Sequence, residues 1–298
     1  MPPQTRTLTE FGRLTRVLLK HPREAFRSDE AIAAEWKALN FGAAPSLASA
    51  LEEYDAFVDI LTTAGVQVSY MPAAKETNLD SIYVRDASIV CARGVILCRM
   101  GKRLRAAEPS AQKAAYRSLG IPIVGEITEP GCIEGGDVVW LDDHTIAVAR
   151  GYRTNDEGIL QLRALLGDSI DELIVVSLPH WRGPGDVLHL MSLVSPIDCD
   201  LAVVYSPLLP VDFRQRLIAH GCELIDVPDQ EFESIGTNVL ALGPRDCVML
   251  AGNPRTRNAL ERAGARVREY VGDEISVKGA GGPTCLTRPL ARAPVRRG

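Results

Sequence analysis

The feature that most constrains this chain is a repeated order of elements: a β hairpin, then a helix, then another strand. Three copies are clear. The first runs from Asp137 through VVWL, a turn at Asp142-Asp143 and TIAVA into a helix opened by Thr154-Asn155-Asp156-Glu157, closed by Gly167 and followed by ELIVVSLP. The Thr-x-x-Glu spacing there predicts a capping box. The second begins at Val187 with LHLMSLVSPI, turns at 198–200, continues through LAVVYS to a helix over 211–220, and ends in CELIDVP. NVLALGP, CVMLAG, a helix over 254–263 and ARVREYV make the third. A fainter copy starts at Tyr83 with VRDASIVCARGVILCRM, a helix over 107–118 and IPIVGEI. RVLLKHP near the N-terminus, a helix over 46–64 and VQVSYMP complete a fifth with a hairpin around Cys285.

Units of about 50 to 60 residues cannot bury their hydrophobic faces alone, so five of them point to a closed α/β ring rather than two unrelated domains. The spacing of polar residues sharpens this. Asp86 to Glu134 is 48 residues, Glu134 to His189 is 55, His189 to Asn238 is 49, and Asn238 to Cys285 is 47. Each lies at or near the start of a unit's hairpin, so rotation about a central axis would aim all of them into one place.

Those positions carry chemistry. Cys285 sits in KGAGGPTCLTRPL, where glycines let backbone approach a ligand closely. A single cysteine with a distant histidine and carboxylates is the arrangement for thiolate nucleophilic catalysis. The other six cysteines read as buried small hydrophobes, and an odd count of seven with no Cys-x-x-Cys pair argues against a disulfide framework and a zinc site. Among five histidines, His189 alone falls mid-strand between apolar residues, in GDVLHLMSLV. Asp86 and Glu134 are carboxylates in buried-looking strand starts, where an unpaired charge is costly and a partner is required. Asp86 could pair with Arg85, and Asp137 reads as a turn cap beside Gly135-Gly136. Two carboxylates, a histidine and a cysteine, with no metal-ligand spacing, describe a site for a planar cation that a thiolate attacks.

Charge and hydropathy remove other classes. Lys+Arg number 33 against Asp+Glu 38, a net charge of −5, and the basic residues are scattered apart from a short tail over 292–297, so no nucleic-acid footprint is expected. The longest apolar stretches, 173–178 and 201–205, fall far short of the ~20 residues of a membrane helix, and MPPQTRTLTE has no apolar signal core. A soluble, cytoplasmic protein is the expectation.

Taken together, SIYVRDAS, IEGGDVVW, GYRTNDEG, VLHLMS and GGPTC resemble the successive motifs of the guanidino-group-modifying enzymes, the pentein fold, over roughly Asp80 to Pro289. That superfamily includes dimethylarginine dimethylaminohydrolase, arginine deiminase and the amidinotransferases. The resemblance implies a five-bladed α/β propeller of ββαβ modules with pseudo-five-fold symmetry, and one domain over 1–298. It implies Cys285 as nucleophile, His189 as general acid and base, Glu134 orienting either His189 or the guanidinium, and Asp86 gripping the guanidinium. Arg105 and Arg153 look like the arginines that bind the substrate α-carboxylate. No cofactor and no metal are implied, and the partner is a small arginine-like guanidine, with a homodimer as a possible assembly. Deiminases and amidinotransferases typically carry an aspartate where this chain has Met191, which points to hydrolysis of an N-methylated arginine to citrulline. In contrast, GGPTCLTRPL reads more like a deiminase, and the segment 22–45 is longer than a minimal lid. An arginine-type deiminase, an amidinotransferase, or a non-catalytic arginine-binding propeller are the alternatives.

Overall fold

The structure, a computed structural model, describes residues 9–186 and 188–294. Residues 1–8, the second repeat's first residue Val187 and the 295–298 part of the basic tail lie outside the described residues. The strands are β1 (Leu14–Leu19), β2 (Gln67–Tyr70), β3 (Ser88–Cys91), β4 (Gly94–Leu97), β5 (Ile123–Glu126), β6 (Val138–Trp140), β7 (Thr145–Arg150) and β8 (Glu172–Ser177), followed by β9 (Val194–Asp198), β10 (Leu201–Val204), β11 (Glu223–Asp226), β12 (Leu240–Gly243), β13 (Asp246–Leu250), β14 (Arg266–Tyr270) and β15 (Arg288–Arg292). Among the described residues they form five three-stranded sheets of one pattern. In each, a middle strand (β4, β7, β10, β13 or β1) runs antiparallel to one neighbour and parallel to the other. The fifth sheet departs from the sequence reading in its connection. Its antiparallel pair is not a hairpin around Cys285 but β15 joined to β1 from the far end of the chain, with Leu14 opposite Arg292.

The repeated helices are Leu47–Thr63, Glu108–Ser118, Asp156–Leu166, Val211–Ala219 and Pro254–Arg262. Each is followed within two residues by a glycine at positive φ: Gly65, Gly120, Gly167, Gly221 and Gly264. A side chain would be strained there, so glycine ends the helix and lets the chain turn into the third strand. Residues in β3, β4 and β10 are buried throughout, which explains their near-continuous apolar runs, whereas the third strands, such as β2 and β5, are largely half-exposed. Helices fill the space between sheets. Leu162 and Leu166, fully buried, pack with Ile89 and Ile96 of one sheet and Ile146 and Val148 of the next. Truncating either leucine to alanine would cost about 2 to 5 kcal/mol. No helix of the described residues is long and apolar enough to cross a membrane.

Two local expectations give way. Asn155, not Thr154, caps the helix Asp156–Leu166, its Oδ1 accepting from Gly158 N–H at 2.9 Å. The Thr154 hydroxyl instead donates to Asp137 Oδ2 at 2.6 Å, so the capping box does not form. His189 is not mid-strand: it precedes a 3₁₀ turn, Leu190–Ser192, and β9 begins only at Val194. A matching turn, Gly135–Asp137, separates Glu134 from β6. Asp86, Glu134, His189, Asn238 and Cys285 each stand a few residues before the first strand of a sheet, β3, β6, β9, β12 and β15 respectively.

Candidate active site

Because the five positions occupy equivalent places in five equivalent sheets, they meet. A cavity of about 180 Å³ is lined by Asp86, Arg105, Arg153, His189, Asn238 and Cys285, and Glu134 lies directly behind His189. Each of the six residues singled out as catalytic or substrate-binding is therefore in this one place.

Glu134 is fully buried. Its Oε1 accepts the backbone N–H of Lys102 at 2.9 Å, and its Oε2 lies 2.8 Å from His189 Nε2 and 3.3 Å from Arg153 Nη1. The ion pairs with His189 and Arg153 hold the Glu134 carboxyl below its usual range despite complete burial. On the other edge of the imidazole, Nδ1 is 3.7 Å from Asp86 Oδ1. Burial works against a charged His189, but the carboxylates of Asp86, Asp137 and Glu134 outweigh it and raise its pKa to about 9. His189 therefore rests as an imidazolium at neutral pH. Gly136 makes this packing possible: a Cβ there would lie 2.5 Å from His189 Nδ1 and 2.7 Å from Asp86 Oδ1.

Asp86 does not pair with its neighbour Arg85. Its Oδ2 accepts from Arg105 Nη1 at 2.5 Å and its Oδ1 from Gly136 N–H at 3.0 Å. Arg85 points the other way, donating to Glu10 Oε2 at 2.7 Å and to the sulfur of Met191 at 3.2 Å. So the Met191 position, which offers no second carboxylate, is occupied by an arginine–thioether contact. Asp137 does not cap the turn beside Gly135-Gly136: its carboxylate accepts from Thr154 and from the Leu190 N–H at 3.2 Å, fixing the turn that carries His189.

Cys285 is half-buried on the cavity wall. Its carbonyl accepts from Arg85 N–H at 3.2 Å, tying the loop of the thiol to the segment of Asp86. Burial, reinforced by the nearby Asp86 charge, pushes its thiol up to about 11, against the Thr284 hydroxyl, a loop N–H and Arg85. The resting thiol is consequently neutral. The glycines before it serve the fold more directly than a ligand: a Cβ at Gly281 would lie 2.3 Å from Tyr83 Cε1, and one at Gly282 would lie 2.5 Å from Asn238 Oδ1.

The two arginines are held differently. Arg105 donates Nε and Nη2 to Glu108 at 2.8 Å each, Nη1 to Asp86, and Nη2 also to the Tyr83 carbonyl at 2.9 Å. Arg153 donates Nη1 to Glu134 Oε2 at 3.3 Å, and it lines both the main cavity and an adjoining one. Sequence reasoning missed the opposite wall. Asp80 pairs with Lys102 Nζ at 2.6 Å, and Lys102 Nζ also donates to the Leu39 carbonyl at 2.7 Å, which brings the segment 22–45 onto the cavity. Asp80 preceded the motif SIYVRDAS by one residue and carried no spacing signal of its own.

Asp86, Glu134 and His189 offer ligand atoms within 4.8 Å of one another. Both carboxylates already pair with guanidinium groups, Asp86 with Arg105 and Glu134 with Arg153. The cluster reads as an ion-pair network.

Known proteins resemble this chain in sequence and in fold. A family profile described as "N,N dimethylarginine dimethylhydrolase, eukaryotic" matches residues 27–292. A Streptomyces coelicolor protein named N(G),N(G)-dimethylarginine dimethylaminohydrolase is 31% identical over 239 residues, 80% of this chain and 84% of its own. An arginine deiminase from Listeria welshimeri is 25% identical over 292 residues, covering 77% of this chain and 70% of its own. In fold, the chain is similar to a cysteine-to-serine variant of the Pseudomonas aeruginosa dimethylarginine dimethylaminohydrolase complexed with citrulline, with a TM-score of 0.75 over 94% of this chain and 100% of that one at 24% identity. With the profile spanning most of its length, the chain belongs to the N,N-dimethylarginine dimethylhydrolase family and is a hydrolase of carbon–nitrogen bonds in amidines.

Proposed function

We propose that this protein hydrolyses an N-methylated arginine to citrulline, releasing methylamine or dimethylamine, with Cys285 as nucleophile. The five sheets then close into a five-bladed propeller, one domain with the cavity at one end of its axis. The observation that carries the reading is the meeting of Cys285, Asp86 and His189 on one cavity.

In this mechanism the guanidinium enters and pairs with Asp86. Its charge offsets the cost of ionising Cys285, whose proton passes to water. The thiolate attacks the guanidinium carbon, forming a C–S bond, and the C–N bond breaks as His189 gives its proton to the departing amine. Neutral His189 then takes a proton from water as the oxygen adds to the S-alkylthiouronium carbon. The C–S bond breaks, its electron pair returns to sulfur, and the last hydroxyl proton goes to the released amine, leaving the ureido group of citrulline. Glu134 holds the imidazole throughout. Arg153 is assigned to the α-carboxylate, and Arg105, bound as it is, to fixing Asp86.

The test is a panel of arginine, monomethylarginine, dimethylarginine, agmatine and guanidino acids, with and without an acceptor amine. Methylamine or dimethylamine with citrulline is the expected outcome. Ammonia from unmodified arginine alone would make the protein a deiminase, and a new guanidine that forms only with the acceptor would make it a transferase. In parallel, Cys285→Ser should abolish turnover while the protein stays folded by circular dichroism. Survival of a tenth of the activity removes Cys285 from the nucleophile's role.

A further inference from the structure

Of the five equivalent positions before the five sheets, Asn238 alone has no part in the chemistry above. It is 4% exposed, lines the cavity and stands two residues before β12. Its Oδ1 accepts both the Thr284 N–H at 3.0 Å and the Thr284 hydroxyl at 2.9 Å. Two donors on that atom settle which end of the amide is oxygen. The amide nitrogen is therefore turned the other way, and it donates to Cys285 Sγ at 3.6 Å. Gly282 presses against the same amide, with room for no Cβ, so the side chain is held by its neighbours and not by chance of rotamer. A neutral donor suits this spot. A lysine or arginine at Sγ would favour the anion more strongly but would also repel a cationic substrate from the carbon that sulfur must reach.

We propose that Asn238 is a positioning residue that aims Cys285 Sγ into the cavity and stabilises its thiolate through the amide N–H. This rests on the reading of Cys285 as nucleophile. Loss of a hydrogen bond to a charged group moves its titration by about 1 unit or more. Two variants separate the parts. Asn238→Asp keeps an acceptor for both Thr284 donors and removes the N–H, while Asn238→Ala removes it without adding charge.

The measurement is the rate of alkylation of Cys285 by iodoacetamide against pH, followed by mass on its own peptide, together with kcat, KM and the thermal midpoint. In both variants the Cys285 midpoint should rise by about 1 unit, alkylation below the midpoint should slow by about tenfold, and kcat should fall with little change in KM. The Asp variant should keep its thermal midpoint. An unchanged Cys285 titration in either folded variant overturns the proposal, including the case in which only Asp raises it, since charge alone would then be the cause. Alkylation needs no turnover, so an inactive protein would refute the functional reading and still leave the Asn238 contact to be judged.

Discussion

Replacing Glu134 with glutamine tests whether this carboxylate holds the proton on His189. Glutamine keeps the shape and leaves an oxygen for the Lys102 N–H, but it removes the charge 2.8 Å from Nε2. His189 stands at about 9 in place of 6.5 because three carboxylates outweigh burial. A hydrogen bond to a charged partner contributes about 1.5–3 kcal/mol, so losing this one should lower His189 by about 1–2 units, with Asp86 and Asp137 supporting the remainder. The raised folded value stabilises the protein fully below pH 6.5 and ceases to do so as pH rises through about 9. The variant should therefore trail the parent by about 2 kcal/mol of pH-dependent stability in mildly acidic solution, and that gap should close above about pH 9. Carbon-13 histidine NMR titration of both proteins gives the midpoint directly, and urea unfolding at both ends of this range gives the stability difference. An unchanged His189 midpoint, or a gap that is the same on both sides of the titration, refutes the reasoning.

Asp86→Asn should lower kcat/KM roughly ten- to a hundredfold on the best substrate, the size of a lost hydrogen bond to a charged group. Unaltered kcat/KM would mean that the guanidinium docks elsewhere. Arg153→Ala should raise KM strongly for amino-acid guanidines and leave agmatine nearly unaffected, because agmatine has no carboxylate to lose. Equal losses on both would place Arg153 in the scaffold around Glu134 instead.

The repeat was legible because it is written in features that act locally: apolar runs for buried strands, and a glycine after each helix where the backbone must turn left-handed. Reading the five polar positions in phase was enough to bring Asp86, His189, Asn238 and Cys285 to one cavity, with Glu134 behind His189. What stayed hidden depends on partners far away in sequence. Thr154 has the pattern of a cap, yet Asp137 takes its hydroxyl across the core. His189 looks like part of a strand because Leu190, Met191 and Leu193 are buried, although the backbone there makes a 3₁₀ turn. Arg85 could have served Asp86, and only its contacts with Glu10 and Met191 show that it does not. Arg105 matches a substrate-binding motif, while its donors to Asp86 and Glu108 become visible only once the fold brings them together. The wall formed by Leu39, Asp80 and Lys102 is likewise a product of packing, with no spacing to announce it.

The pairing of β15 with β1 has a bearing on biosynthesis. Thr15 Oγ1 reaches the carbonyl of Ala291 across 276 residues of sequence, and Cys285 stands three residues before the strand that makes this contact. A ribosome can release the segments bearing Asp86, Glu134 and His189 in time to fold, but the sheet that seats the thiol waits for the last strand to be made. Such long-range closure is entropically costly and slow. Until it happens, Cys285 is not held beside Asp86 and His189, so the cavity they line is complete only once β15 has paired with β1.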